Sequence, residues 1–325
     1  MNAKRLLNLL LREAGIGVAL AVMCIFFAFA APHFASGNNV TNIFTQISIN
    51  TVVSVGMTFA ILLAGIDLSV GSVVALATIL AGKIITYEGF NVGTAIVLAI
   101  LAALAAGMAC GFFNGFVSER WKMPAFITTL GMMNIARGAA LQISESRTIY
   151  SFPSAFNAFG AQTYFGVPSI FIIAMATVVL GWFILNRTVF GRMIYAIGNN
   201  EEAVRLSGHN PSFYKVLAYV YCGAMVGIAA IMYMLRLNVA SPILGVGFEL
   251  KAIAAVVVGG TSMSGGKGSI IGTFLGACII GVLDNGLLLM GMGDFARQMV
   301  TGLIIVVAVI IDTYRAKISI KTEAW

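Results

Sequence analysis

The chain has 325 residues, 60% of them hydrophobic and only 10% charged, with a mean hydropathy of +0.98 and a formal net charge of +7. Soluble domains carry about 45–50% apolar and about 25% charged residues, so this excess cannot be hidden in one core. The bilayer must serve as solvent for much of the chain, which excludes a soluble enzyme, a secreted disulfide scaffold and a disordered protein. A spanning helix takes roughly 20 residues, so ten would use roughly 200 and leave about 125 for tails and loops. No soluble catalytic domain fits in that remainder.

The first segment, MNAKRLLNLLLREAG, is basic and precedes an apolar run from about Gly15 to Ala31. AFA at 28–30 resembles a signal-peptide cleavage site. The length of the run and the spans that follow favour an uncleaved first helix. Further apolar stretches near 49–64, 70–87, 92–117, 124–143, 168–186, 213–235, 250–260, 269–290 and 298–312 bring the total to ten. Each must be helical, because a chain facing lipid has to satisfy its own backbone hydrogen bonds. The alternation expected of porin strands is absent. The prediction is an all-α polytopic membrane protein of about ten spans, a single transmembrane domain over 1–325. Cys24, Cys110, Cys222 and Cys278 all lie inside apolar runs, without metal-ligand spacing. They read as reduced, buried small hydrophobes.

Orientation follows from Lys and Arg, which collect in cytoplasmic loops. With the N-terminus inside, the cytoplasmic segments hold Lys4, Arg5, Arg12, Arg120, Lys122, Arg187, Arg192, Arg205, Lys215, Lys267, Arg315, Lys317 and Lys321, 13 of the 19 basic residues. Both termini are then cytoplasmic. The net positive charge reflects this bias and not nucleic-acid binding, since the basic residues form no single stripe. Two loops are longer than the rest. Residues 144–167 fall outside and are polar, aromatic and proline-containing, whereas 187–214 fall inside and hold the densest charge. Each is either a docking surface for a partner or an ordinary solvated loop.

An internal repeat is visible. AILLAGIDLSV from Ala60 aligns with AVVVGGTSMSG from Ala255, matching Ala60 to Ala255, Gly65 to Gly260 and Ser69 to Ser264. GSVVALATILAG from Gly71 then resembles GSIIGTFLGACI from Gly268. The repeat-like halves cover about 40–145 and 213–312. Repeats in transporters put the pathway at their interface, marked by paired glycine-interrupted segments. The run 250–260 is too short to span unaided and ends in GGTSMSGGKG. It is either a re-entrant segment lining a polar pathway or a tight cytoplasmic turn between helices. Asp67 in GIDLSVGS sharpens the question. A carboxylate at a helix centre costs about 2.5–3.5 kcal/mol on insertion scales. It either faces a pathway or caps the helix that begins near Ser69 or Gly71, and the two roles are compatible. The candidate pathway residues are Gly65, Asp67, Ser69, Gly71, Ser72, Thr261, Ser262, Ser264 and Asp284. Arg137 and Asp284 are further candidate intramembrane charges, able to pair with each other or with Asp67.

No enzyme constellation appears. The two histidines, His33 and His209, are far apart, and HExxH, CxxC and GxSxG do not occur. TSMSGGKGS at 261–269 fails as a phosphate loop. Thr261 stands at its first glycine position, and Gly268 follows Lys267 where a hydroxyl must hold magnesium. The chain is expected to bind no metal or cofactor and to hydrolyse no ATP. Its energy comes from an ion gradient or from another subunit. An ion-coupled carrier calls for a relay of acidic or histidine residues inside the spans, to which only Asp67 and Asp284 contribute. A motor subunit calls for a firm cytoplasmic handle. GNNEEAVRLSGHN reads as a short helix capped by Asn199 or Asn200, with Glu201 and Glu202 in its first turn and Gly208 as its stop. Asn200, Glu201, Glu202, Ala203, Arg205 and Gly208 are the candidate coupling residues.

GMTFAILLAGIDLSVGSVVAL (56–76), RMIYAIGNNEEAVRLSGHN (192–210) and ELKAIAAVVVGGTSMSGGKGSIIGTFLGA (249–277) resemble the membrane permeases of ribose-type ABC sugar importers. The likeness covers nearly the whole chain. It implies a permease dimer in the bacterial inner membrane, working by alternating access. A tandem-cassette ATPase subunit below carries the ATP and Mg, and a periplasmic sugar-binding protein delivers a pentose or hexose from above. The loop at 198–210 is similar to the glutamate–alanine–alanine coupling loop of ABC importers. Glu201, Ala203 and Gly208 match it, while Glu202 replaces the first alanine.

Overall fold

The structure is a computed structural model that describes residues 3–323, apart from the side chains of 3–12, 311 and 315–323. The side chains of Lys4, Arg5, Arg12, Arg315, Lys317 and Lys321 therefore lie outside the described residues. In chain order the elements are α1 (Ala3–Ala30), α2 (Gly37–Leu62), α3 (Val70–Ile85), α4 (Val92–Trp121), α5 (Ala125–Ser144), β1 (Ile149–Tyr150) and α6 (Ser154–Ala161). There follow β2 (Thr163–Tyr164), β3 (Val167–Pro168), α7 (Ser169–Arg187), α8 (Val189–Asn199), α9 (Glu201–Leu206) and α10 (Pro211–Leu237). The last are β4 (Val239–Ala240), α11 (Phe248–Val258), α12 (Ile270–Leu289) and α13 (Asp294–Glu323).

Every one of the ten apolar stretches is helical. Among the described residues, seven helices are long and apolar enough to cross a membrane: α1, α2, α4, α7, α10, α12 and α13. The other three fall short for different reasons. α3 has 16 residues and α11 has 11. α5 has 20, but Thr128, Thr129, Asn134, Arg137 and Gln142 dilute its apolar character. Short or polar helices are tolerated at membrane depth when protein surrounds them.

α2 is the central element. Val52, Val55, Met57, Phe59 and Leu62 are all inaccessible, and α7, α10, α11 and α12 pack around it. Its buried hydroxyls turn back on its own backbone: Ser54 Oγ donates to the Asn50 carbonyl at 2.6 Å and Thr58 Oγ1 to the Ser54 carbonyl at 2.8 Å. α4 and α10 run antiparallel along a seam of small residues. Gly107, Gly111 and Gly115 of α4 fall four residues apart and face Gly223, Tyr219 and Val216 of α10. A Cβ on Gly223 would collide with the Gly107 carbonyl, and one on Gly111 with the Tyr219 carbonyl. Backbone approach of this kind is how helices associate in lipid, where the hydrophobic effect offers no drive between them.

The helix ends gather at two poles. At one, β1 pairs antiparallel with β4, aligning Ile149 with Ala240, and Asn238 Oδ1 accepts from the Phe152 N–H at 3.2 Å. At the other lie α8, α9 and the segment 259–269. The hydroxyl of Tyr195 donates to the Gly268 carbonyl at 2.9 Å, and that of Ser269 to Glu13 Oε1 at 2.7 Å.

Candidate functional site

The segment between α2 and α3 carries Gly65, Asp67 and Ser69. Asp67 is buried, and its Oδ1 accepts from the Ser69 N–H at 2.9 Å and from the Ser69 hydroxyl at 2.5 Å. Asn114 of α4 reaches the same group, donating to Ser69 Oγ at 3.0 Å and to Asp67 Oδ2 at 3.5 Å. The N-cap of α3 is Ser69 itself, whose hydroxyl is taken by Asp67 instead of by the helix. Asp67 thus holds the turn that starts α3. A buried carboxylate fed by three donors needs no cation to remain satisfied. Beside it, Asn114 Oδ1 and the Tyr219 hydroxyl have no hydrogen-bond partner among the described residues. The gap bounded by Asp67, Ser69, Gly107, Gly111 and Gly223 is too narrow to admit water. Gly71 and Ser72 follow in the first turn of α3, where Gly71 lies against the backbone of Gly245.

The second glycine-broken segment, 259–269, is clamped from several helices. The Gly266 N–H donates to the Leu62 carbonyl at 2.9 Å, joining the two broken segments directly. Asp312 of α13 accepts from the Ser262 hydroxyl and the Met263 N–H, both at 3.1 Å. Thr58 of α2 and Thr273 of α12 share a hydrogen bond of 2.8 Å close by. Thr261 is buried, with no partner for its hydroxyl among the described residues, while Ser264 and Lys267 are exposed at the pole that carries α8 and α9. Gly198, near the end of α8, is wedged between the Leu62 carbonyl and Gly266. Asn199 donates to the Gly266 carbonyl at 3.3 Å.

α9 is the short helix expected in the charged loop. Asn200 is its N-cap, with Oδ1 accepting from the Ala203 N–H at 3.0 Å, and Glu201 and Glu202 occupy its first turn. Gly208 ends it at φ +84, the left-handed conformation that favours glycine. Arg205 pairs with Glu202 on the exposed face. Glu201 pairs with Lys215 of α10 at 2.6 Å, and Lys215 with Glu119 of α4 at 3.1 Å, so α9 is tethered to the α4–α10 seam. Leu206 is 79% exposed, an apolar side chain turned to the surface. α8 ahead of it was not read from the sequence, because VFGRMIYAIGN merges with the preceding span.

A third irregular segment has no counterpart in the sequence reading. Residues 241–247 (SPILGVG) run inward beside α3, from Ala240 near Gly82 to Gly245 against Gly71. Gly245 and Gly247 take φ +75 and +82. Arg137 of α5 satisfies this backbone, donating to the carbonyls of Pro242 at 2.6 Å and Leu244 at 2.7 Å. Its charge therefore serves the carbonyl dipoles of this segment. Asp284 pairs elsewhere, with Arg297 at 2.7 Å and Lys251 at 3.1 Å. Asp67, Arg137 and Asp284 do not meet.

Of the predicted pathway residues, only Asp284 lines a recess of about 170 Å³ between α2, α10, α11 and α12. Gln46, Asn50, Tyr233, Arg236 and Lys251 also line it. Sequence reasoning missed them because they are spread over three helices, α2, α10 and α11, the first far from the other two in the chain. A polar residue at matching depth in several spans was the available signal. Among the described residues no group of three or more His, Cys, Asp and Glu side chains is placed to hold a metal.

A family model described as branched-chain amino acid transport system / permease component matches residues 39–309. The ribose import permease protein RbsC of Escherichia coli (strain K12) is 40% identical over 299 residues, covering 91% of this chain and 92% of that protein. RbsC of Bacillus subtilis (strain 168) is 40% identical over 305 residues, 93% of each chain. The L-arabinose transport system permease protein AraH of Escherichia coli (strain K12) is 37% identical over 305 residues, covering 94% of this chain and 92% of that one. No solved structure matches.

Proposed function

Because the chain belongs to the branched-chain amino acid transport system / permease component family, we propose that it is the membrane permease of an ATP-driven ABC importer. It moves a monosaccharide, a pentose or hexose, across the bacterial inner membrane by alternating access. The observation that carries the reading is the identity of 40% over 91% of the chain with a ribose import permease. ATP is hydrolysed on a separate tandem-cassette subunit, and a periplasmic sugar-binding protein supplies the substrate. A second copy of the chain completes the pathway as a homodimer.

In this reading the pole with α8, α9 and Lys267 faces the cytoplasm, as the distribution of Lys and Arg favours. The pole with the β1–β4 ladder and 144–167 faces the binding protein. α9 is the coupling helix, with Asn200, Glu201, Glu202, Ala203, Arg205 and Gly208 forming it and Leu206 offered to the ATPase. Movement of α9 passes through α8 to Gly198, which touches both glycine-broken segments. Those segments, with Gly65, Asp67, Ser69, Gly71 and Ser72 in one and Thr261, Ser262 and Ser264 in the other, are the paired elements of an internal repeat. They form the inner part of the pathway, closed here by the α4–α10 seam.

The test is reconstitution of the full chain in liposomes with its ATPase and binding protein. Uptake of labelled D-ribose or L-arabinose that requires internal or external ATP on the ATPase side is the expected result. Uptake by the chain alone under an ion gradient would overturn it in favour of an ion-coupled carrier.

A further inference from the structure

The recess around Asp284 has a composition that the coupling and turn residues do not explain. It lies toward the β1–β4 pole. Arg236 is in the last turn of α10, and Phe248 and Lys251 are in the first turn of α11. Its volume of about 170 Å³ far exceeds the roughly 10–15 Å³ that one water needs on this measure. A polar recess of that size inside a membrane protein has to be matched by a ligand or by solvent.

We propose that this recess is where the permease contacts its sugar after release from the binding protein, an inference that rests on the sugar-importer reading above. Three polar side chains reach it with no hydrogen-bond partner among the described residues: the Asn50 carboxamide, the Tyr233 hydroxyl and the Arg236 guanidinium. A carboxamide both donates and accepts, a phenol does the same, and a guanidinium donates. Sugar hydroxyls are donors and acceptors in one group, so this set matches them. The positive charge of Lys251 is already met by Asp284 at 3.1 Å, and Gln46 Nε2 donates to the same carboxylate at 3.1 Å. Arg236 is the one lining charge left without an opposite partner, and its guanidinium is free to donate to ring or hydroxyl oxygens of a sugar. Tyr233 and Phe248 face each other at 5.9 Å between ring centroids. Their rings offer apolar surface to the C–H face of a sugar ring. With few contacts, all from side chains on separate helices, the site binds weakly and lets its ligand leave.

The experiment uses the complete importer in proteoliposomes, with D-ribose and L-arabinose as probes. Wild-type uptake of neither probe would overturn the pentose form of the sugar-importer reading, on which this assignment rests. With wild-type uptake established, Asn50→Phe fills the recess and Arg236→Met removes its free donor. Both are expected to lower uptake at least tenfold, while ATPase stimulation by the loaded binding protein stays within twofold of wild type. That second readout separates loss of the site from loss of the fold. Tyr233→Phe removes only a hydroxyl and is expected to change the ratio of D-ribose to L-arabinose uptake at least threefold, a shift that a purely structural tyrosine would not produce. Uptake within twofold of wild type in Asn50→Phe and Arg236→Met, with an unchanged ratio in Tyr233→Phe, would overturn the recess assignment and leave the importer reading standing.

Discussion

The N–H of Gly266 donates to the carbonyl of Leu62 at 2.9 Å, so the two glycine-broken segments are in contact although about 200 residues separate them. Leu62 ends α2, and its carbonyl has no partner further along that helix. Gly266, at φ +71, turns its N–H toward it. Gly198 of α8 sits in the same junction, and any side chain there would meet backbone on both sides.

Gly198→Ala is therefore expected to destabilise the protein by about 1–3 kcal/mol, the scale of overpacking a filled site. In an ordinary helix the same change gains roughly 0.5–1 kcal/mol, so the sign reports the contact. Thermal unfolding in detergent checks it. Gly138→Ala, where no atom lies within 4 Å of the new Cβ, is the control and is expected to be neutral or mildly stabilising.

The α4–α10 seam makes a second prediction. Gly107→Ala and Gly223→Ala each force the helices apart and are each expected to cost about 1–3 kcal/mol. Both act on one approach, so the double variant should cost less than the sum. Stability of the two single variants and the double variant in the same detergent tests this.

Asp67 accepts from Ser69 N–H and Oγ in a buried turn. Asp67→Leu strands those donors and is expected to lose about 1–3 kcal/mol. Asp67→Asn keeps an oxygen acceptor in place and should lose less. Thermal stability in the order wild type, Asn, Leu is the expected outcome. Equal stability of the Leu variant would show that the turn does not depend on the carboxylate.

At α9, Leu206→Ser removes an apolar side chain that is 79% exposed. It should leave permease stability unchanged and weaken capture of the ATPase subunit severalfold in a detergent pull-down. Gly208→Val forces a β-branched residue into the left-handed region, at roughly 1–2 kcal/mol. That variant should insert normally and lose ATPase stimulation.

Much of this was legible in one dimension. The ten apolar runs were legible as helices, seven of them long and apolar enough to cross a membrane, because backbone satisfaction in lipid favours helix. α9 was visible with its first turn and its stop. Asn, Glu and Gly at those positions act on the nearest backbone groups, and such local chemistry needs no partner from elsewhere in the chain. The resemblance to sugar-importer permeases was likewise carried by contiguous motifs, GIDLSVGS and GGTSMSGGKG among them.

The tertiary structure decided what depends on distance between chain-remote groups. Composition marked Arg137 and Asp284 as charges in need of partners. Only packing assigned Arg137 to the Pro242 and Leu244 carbonyls and Asp284 to Lys251 and Arg297. The inward run of SPILGVG was hidden because its neighbours are apolar and its carbonyls are satisfied by a side chain about 105 residues away in sequence. The recess was hidden for the same reason, since Asn50, Tyr233 and Lys251 sit on three different helices. A composition of 60% hydrophobic and 10% charged residues determined the solvent and the class of structure, because burial in lipid depends on composition summed along each run. Which of the few polar groups meet was fixed by helix packing, since a pairwise contact depends on where two backbones cross and composition carries no record of that.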